Sequence, residues 1–160
     1  MAGGQAAARR RGVDRLSGLA VGVHDLAQAR AVLAWAAAGR HGPVRLHGLD
    51  AVTLGGGFWF EVERLVGRPI VVECGDHVGT ALEALRAGCR RLRIAPAEAQ
   101  EPALEGLIKA YDAVRMRAGP TVALAPGRAA AAQLARVRCE QVTASSLPGK
   151  QPELGTEVRP

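Results

Sequence analysis

The strongest constraint on the fold is the alternation of short apolar segments with longer helical patterns along the chain. Four or five apolar runs of β character each end in a polar or glycine-containing turn and lead into an amphipathic segment. Glycine follows most of these segments and supplies a helix stop, at Gly39, Gly67, Gly88 and Gly119. The runs are residues 19–23, 44–47, 70–73, 92–94 and 122–124. This alternation predicts an α/β fold with a mostly parallel sheet.

The number of βα units limits how the sheet is arranged. About five units are too few for an eight-stranded barrel, so we predict a single α/β domain with an open sheet. One arrangement is a flavodoxin-like sheet with helices on both faces and the strand order 2-1-3-4-5. Arg91 and Arg93 are difficult to place in an interior fourth strand of that sheet. They favour an edge position for the fourth strand, or an incomplete barrel.

Composition divides the 160-residue chain into three parts. Residues 1–16 are rich in Gly, Ala and Arg and have no periodic apolar face, so we predict a flexible basic arm. Residues 17–142 contain the βα units and form the predicted domain. Residues 143–160 are rich in polar residues, Pro and Gly, which predicts a disordered tail.

Charge and cysteine content bear on the partners and the compartment. The net charge is +6, and the basic residues are Arg apart from Lys109 and Lys150. With so few aromatic residues between them, these arginines predict a solvated surface, and nucleic-acid binding is the weakest of the function classes. Three cysteines without metal-type spacing, together with the lack of an apolar leader, predict a cytoplasmic protein with reduced thiols. No apolar run of about 18 residues is present, so we expect no membrane span.

Reactive side chains follow the first three predicted strands, where each strand ends. The carboxyl ends of parallel strands lie along one edge of a sheet, so we expect these groups within about 10 Å of one another. Three of the four histidines are among them. The candidate catalytic residues are His24, His47, Cys74 and Asp76, and the candidate ligand-binding residues at this edge are Asp25 and His77.

These side chains are compatible with several kinds of chemistry. The histidines with a carboxylate have the ligand types of a divalent-metal site, Cys74 beside a histidine resembles an activated thiolate, and His–Asp pairs suit general acid–base catalysis. The structural alternative is that Asp25 and Asp76 cap helices and that Cys74 is a small core residue. The sequence identifies neither a metal nor another cofactor.

Two further features lie in residues 55–60. Gly55, Gly56 and Gly57 precede a helical segment, whose first amides would suit a small anionic ligand, although a flexible loop is the simpler interpretation. Phe58, Trp59 and Phe60 are consecutive, and three rings on one helix cannot all face the same core. We therefore predict Phe58 on the core stripe and Trp59 at its flank, and we name Phe58 and Trp59 as candidate interface residues, because at least one ring of this segment should be exposed or meet a partner.

Together these observations favour a small cytosolic α/β ligand-binding or accessory domain that acts through a protein partner or by self-association. The alternative is a small lyase or hydrolase, with a His/Asp site at the carboxyl ends of the first three strands and a contribution from Cys74 or a metal. Whether the protein is an enzyme stays open at this point.

Overall fold

The structure is a computed structural model that describes residues 18–39 and 43–144. The predicted arm at residues 1–16 lies outside these residues. Of the predicted tail, only residues 143 and 144 fall within them, as the end of the last helix.

Six strands and six α-helices alternate along the described chain. The strands are β1 (Leu19–Val23), β2 (Val44–Gly48), β3 (Ile70–Gly75), β4 (Arg91–Ile94), β5 (Val114–Arg115) and β6 (Val122–Ala123). The helices are α1 (Leu26–Ala38), α2 (Ala51–Leu54), α3 (Gly56–Val66), α4 (Val78–Ala87), α5 (Glu101–Ala110) and α6 (Ala130–Ala144), and a 3-10 turn (Glu98–Gln100) precedes α5. Helix α5 ends at Ala110, before the glycine stop predicted at Gly119, because Asp112 takes a left-handed φ of 48° and the chain enters β5.

The strands form one parallel sheet in the order β5-β4-β3-β2-β1-β6. The predicted α/β class with a mostly parallel sheet built from about five βα units is therefore confirmed. The order 2-1-3-4-5 is not observed, because β2 lies between β1 and β3. Strands β1 to β5 lie side by side in chain order, and β6 pairs with the free edge of β1. A closed barrel would have the same strand order and, in addition, a pairing between β5 and β6. Strand β4 is not at the edge, because β5 pairs with it.

A side-chain contact shows that this sheet curves strongly. Arg93 in β4 donates a hydrogen bond of 2.8 Å to the Oγ1 of Thr121, which directly precedes β6. Four strand intervals separate β4 from β6, so in a flat sheet the two backbones would lie about 19 Å apart. An extended arginine reaches about 7 Å from its Cα, and the whole contact spans at most about 12 Å. The sheet therefore bends around the face that carries Arg93, as in an incomplete barrel.

The outer, convex face of the sheet carries the main hydrophobic core. Its strand residues are apolar and at most 4% exposed: Val21, Val23, Leu46, Ile70, Val72, Cys74, Leu92 and Ile94. Each of the six described helices contributes at least one residue to the same cluster. The helices therefore pack against this one face, as the right-handed connections between sequential parallel strands require.

The inner, concave face carries the residues that alternate with this core. It includes buried Ala20 and Val71, which do not belong to the main cluster. Its other strand residues are mainly polar: Arg45, His47, Glu73, Arg91 and Arg93. A sheet covered by helices on both faces would have apolar residues at these positions of β2 and β4. Their polar residues are explained because the helices cover only the convex face, which leaves the concave face polar.

Candidate functional site

Four side chains from separate parts of the sheet form a connected cluster on its inner face. The Nδ1 of His47 lies 2.5 Å from the Oε1 of Glu73. Arg93 Nη1 donates to the same Oε1 at 3.2 Å and to the Oγ1 of Thr121 at 2.8 Å. We call His47, Glu73, Arg93 and Thr121 the inner polar cluster. It links β2, β3 and β4 to the segment that enters β6.

The histidine of this cluster has one ring nitrogen bound and the other unbound. The His47 side chain is only 4% exposed. A carboxylate accepts hydrogen bonds, so the Nδ1 that faces Glu73 carries a proton, and in the neutral ring the lone pair is then on Nε2. Within the described residues this buried Nε2 has no hydrogen-bond partner. A buried polar atom left in this state costs about 1–3 kcal/mol.

Positive charge dominates around this histidine. Arg45 lies two residues before His47 on β2 and so shares its face, and its Nε is also buried without a hydrogen-bond partner in the described part of the chain. Arg91 lies two residues before Arg93 and pairs with Val114 in the register of β4 and β5. Among the strand residues of the inner face, these three arginines face one carboxylate, that of Glu73. The face therefore has an excess of positive charge that suits an anionic group.

A second histidine, His24, lies at the carboxyl end of β1. Its Nδ1 is 2.5 Å from the Oδ2 of Asp50, and its Nε2 is 2.8 Å from the carbonyl oxygen of Leu124. Both ring nitrogens thus face acceptors, and the contacts join β1 to the loops that follow β2 and β6. Asp50 has a left-handed φ of 57°, which a non-glycine residue adopts only at an energetic cost. His24 is therefore a structural link between three loops, with no ring nitrogen left to bind a ligand.

The carboxyl-end residues predicted from the sequence make their hydrogen bonds and ion pairs in separate groups in the described structure. Asp25 accepts a hydrogen bond from the backbone N of Gln28 at 2.7 Å and caps α1, as the structural alternative predicted. Asp76 and His77 form an exposed pair 3.3 Å apart at the start of α4. The N-cap position of α4 belongs to His77, and neither side chain caps the helix in the described structure. His47 alone among the predicted catalytic residues belongs to the inner polar cluster.

Cys74 is on the other face of the sheet from His47. Its side chain is fully buried in the outer core, and burial raises the pKa of the thiol to about 12, with smaller contributions from Glu73 and Cys89. Burial likewise raises the pKa of Cys89 to about 11, with a further contribution from Glu63. A thiol in this state is protonated at neutral pH and is a poor nucleophile. The structure therefore supports the core role of Cys74 rather than the activated-thiolate role.

The glycines at residues 55–57 begin α3, and one of them has a packing role. Gly55 has a φ of 80° between α2 and α3. A Cβ on Gly56 would lie 2.3 Å from the Cα of Ala84, so only glycine lets α3 and α4 approach this closely. A Cβ on Gly57 would meet nothing within 4 Å. The close helix contact explains Gly56 without a ligand.

The predicted exposure of Trp59 is wrong. Trp59 is 0% exposed, while Phe58 is partly buried and packs against the core with its ring 5.0 Å from the indole. The buried stripe of α3 consists of Gly56, Trp59 and Val62, whereas Leu65 is 47% exposed. The reason is Gly48: a Cβ there would lie 2.4 Å from Trp59 Cδ2, so the missing side chain makes room for the indole on β2.

Three members of the inner polar cluster were not among the predicted site residues: Glu73, Arg93 and Thr121. The available signal was the single charge in the apolar run of β3 and the strict polar–apolar alternation of β4. A carboxylate in the middle of a buried parallel strand needs a partner, and His47 on the neighbouring strand provides it.

Other kinds of site find less support. In the part of the chain that the structure describes, no group of three or more His, Cys, Asp or Glu residues is arranged to hold a metal ion. A cavity of about 330 Å³ lies between the starts of α1 and α6, lined by Asp25, Gln28 and Arg128 among others. Its lining includes the capping carboxylate of Asp25, and Gln28 already donates to the carbonyl of Ala125. None of the described helices is long and apolar enough to cross a membrane.

Comparison with known proteins gives no relative for this fold and site. No protein-family model matches the chain, and no curated protein or solved structure matches it either. The function therefore has to be inferred from the residues of the inner face.

Proposed function

We propose that this protein is a small ligand-binding α/β domain that takes an anionic small molecule on the inner face of its curved sheet. The observation that carries the proposal is the buried Nε2 of His47, which has no hydrogen-bond partner among the described residues. A ligand that bonds to this atom would recover the free energy that its burial costs.

The charge on the inner face supports an anion as the ligand. Arg45 and Arg91 approach the concave side without a carboxylate partner of their own among the described ion pairs, since Glu73 is bound to Arg93 and His47. Guanidinium groups bind carboxylates and phosphates through paired hydrogen bonds. A partly enclosed face also strengthens such bonds, because it excludes part of the surrounding water.

The expectation of a protein partner or self-association is not part of this proposal. Its main support was an exposed Trp59, and that ring is buried. Four large apolar side chains are exposed in the described structure, Val52, Leu54, Leu65 and Val114. Scattered exposed apolar residues of this kind are ordinary on protein surfaces and do not define an interface.

Calorimetry with simple anions tests the proposal. We expect at least one of inorganic phosphate, acetate, malate and glycerol 3-phosphate to bind the wild-type protein. Arg45→Met should weaken that binding at least tenfold because it removes the inner-face charge. Arg68→Met is the matched control, since Arg68 is exposed before β3, and it should leave affinity unchanged. Absence of binding by all four anions, or equal effects of the two substitutions, would contradict the proposal.

An enzyme is the second candidate, and one contact favours it. A histidine whose Nδ1 is held by a carboxylate and whose Nε2 is free has the arrangement of a general base. A lyase or hydrolase would use Nε2 to take a proton from the substrate or from water. Malate should then lose water to give an alkene that absorbs in the ultraviolet, or glycerol 3-phosphate should release phosphate. Glu73→Gln should abolish turnover, and an unchanged rate in that variant would exclude His47 as the base.

A further inference from the structure

We infer that the ligand of the inner face carries a hydroxyl or similar hydrogen-bond donor close to its anionic group, as hydroxy acids and phosphorylated polyols do. This inference rests on the proposed function and adds the chemical class of the ligand. It comes from two buried atoms on one strand, His47 Nε2 and Arg45 Nε, which have no partner in the described structure and need opposite kinds of ligand group.

The first atom needs a donor. Glu73 accepts from Nδ1 of His47, and Arg93 donates to the same carboxylate oxygen. With the proton of the neutral ring on Nδ1, Nε2 presents a lone pair. A carboxylate or phosphate oxygen cannot donate to that lone pair when it is ionised. A ligand hydroxyl can, and its own oxygen then accepts a further hydrogen bond from a neighbouring donor.

The second atom needs an acceptor. Arg45 Nε is a donor, and Arg45 precedes His47 by two residues on β2, so their Cα atoms lie about 7 Å apart on the same face. In the register of the sheet, His47 pairs with Val71, and Arg91 lies beside Val71 on the next strand. Arg45 therefore lies on the amino-terminal side of His47 along β2, and Arg91 lies level with His47, two strands away on the same concave surface. They are placed for the anionic end of the ligand, and the hydroxyl end faces the histidine.

These placements limit the size of the ligand. The Cα atoms of His47 and Arg45 are about 7 Å apart, so a small molecule that carries a hydroxyl within a few bonds of its anionic group is of a size to reach both side chains. Glycerol 3-phosphate is such a molecule, as is a four-carbon hydroxy acid such as malate. A phosphate and a carboxylate present the same anionic chemistry to arginine, so both classes enter the test.

The test compares ligands that differ only in their hydroxyl groups, two in the phosphate pair and one in the dicarboxylate pair. Affinities of glycerol 3-phosphate and propyl phosphate, and of malate and succinate, are measured by calorimetry on the wild-type protein. The hydroxylated member of at least one pair should bind about tenfold more tightly, as one additional hydrogen bond to a buried acceptor provides. In His47→Leu this preference should disappear while the affinity of the analogue without the hydroxyl is retained. His77→Ala, an exposed histidine 59% accessible, should keep the preference.

The possible outcomes separate this inference from the proposed function. Equal affinities within both pairs would overturn the hydroxyl assignment and leave the anion site in place. A preference that survives His47→Leu would overturn it as well, because the hydroxyl would then bind elsewhere. If none of these four compounds binds, the inference fails, and the anion site fails with it when inorganic phosphate and acetate do not bind either. If His47→Leu fails to fold, His47→Phe gives the second test, because a ring without a nitrogen cannot accept from the hydroxyl and should remove the preference for it.

Discussion

The two faces of the single sheet are built on the same backbone but have opposite chemistry. The outer face buries Leu46, Ile70 and Leu92 almost completely against the helices. The inner face places His47, Glu73 and Arg93 at the alternate positions of the same three strands. The outer face therefore provides the folding free energy through apolar burial, whereas the inner face contains groups that reduce it unless they are bonded. A buried polar residue that lowers the free energy of unfolding is not explained by packing, so a functional role has to be considered for it.

One buried nitrogen on each side shows the same contrast. The indole Nε1 of Trp59 on the outer side and the Nε2 of His47 on the inner side are both buried without a partner in the described structure. The indole brings a large apolar area into the core, which outweighs one unsatisfied donor. The imidazole brings little apolar area and lies among charged groups. Packing is therefore a sufficient explanation of Trp59 but an insufficient one of His47.

The largest expected effect is at the outer face. Trp59→Ala should lower the free energy of unfolding by about 3–5 kcal/mol, because it leaves a cavity beside Gly48 that the sheet cannot fill. Urea unfolding measures the loss, and sedimentation of the folded fraction should show no change in assembly. Phe58→Ala is the neighbouring control and should cost less, because Phe58 is only partly buried. A change in assembly with little loss of stability would restore the interface interpretation of Trp59.

The second prediction separates structural from functional roles within the inner face. Glu73→Ala should destabilise the protein by about 2–3 kcal/mol, because it leaves His47 Nδ1 and Arg93 without their shared acceptor. His47→Leu should change the free energy of unfolding by less than about 1 kcal/mol, because it also removes the unpartnered Nε2. Chemical denaturation of the two variants measures both values. A large loss in His47→Leu would show that the histidine is a structural residue and would weaken the case for a site.

The outer face could be predicted from the sequence to a much greater extent than the inner face. The apolar runs place Val21, Leu46 and Val72 in strands, where they are buried, because burial of apolar side chains is the dominant force in folding. The strand order could not be obtained in this way. The order depends on which strands lie on either side of β1. One of these neighbours is β6, which is only two residues long and therefore leaves little pattern in the sequence.

The inner polar cluster was predicted only in part for a related reason. His47 was selected because it ends a strand, but its partner Glu73 is 26 residues away and becomes a neighbour only through the β2–β3 register. Thr121 meets Arg93 only because the sheet curves. Cys74, next to Glu73 in the chain, was misassigned to the site because the pleat directs adjacent residues to opposite faces. Pairing register and curvature are long-range properties that no local pattern contains.

The third prediction uses pH to test how apolar the outer face is. Burial raises the pKa of Cys74 from 9.0 to about 12 in the folded protein. Below pH 9 both states keep the proton. Between pH 9 and 12 the unfolded chain releases it while the folded chain retains it, so stability decreases as pH rises. The loss should be on the order of 1–2 kcal/mol by pH 10.5 in urea unfolding. Cys74→Ala should show a smaller decrease over the same interval, and parallel pH profiles would contradict the burial of this thiol.

The smallest expected effect is at the carboxyl edge, where the two faces meet and where the sequence placed two equivalent aspartates. Asp25 caps α1 through the backbone N of Gln28, whereas Asp76 is 75% exposed beside His77 and caps no helix in the described structure. Asp25→Ala should therefore cost about 1 kcal/mol of stability, the usual contribution of an N-cap. Asp76→Ala should cost less than about 0.5 kcal/mol, because exposed ion pairs contribute little. Thermal unfolding of the two variants gives the comparison, and neither change should alter anion affinity if the ligand site is on the inner face. Weaker anion binding in Asp76→Ala would instead place the ligand at the strand ends, where the sequence first predicted it.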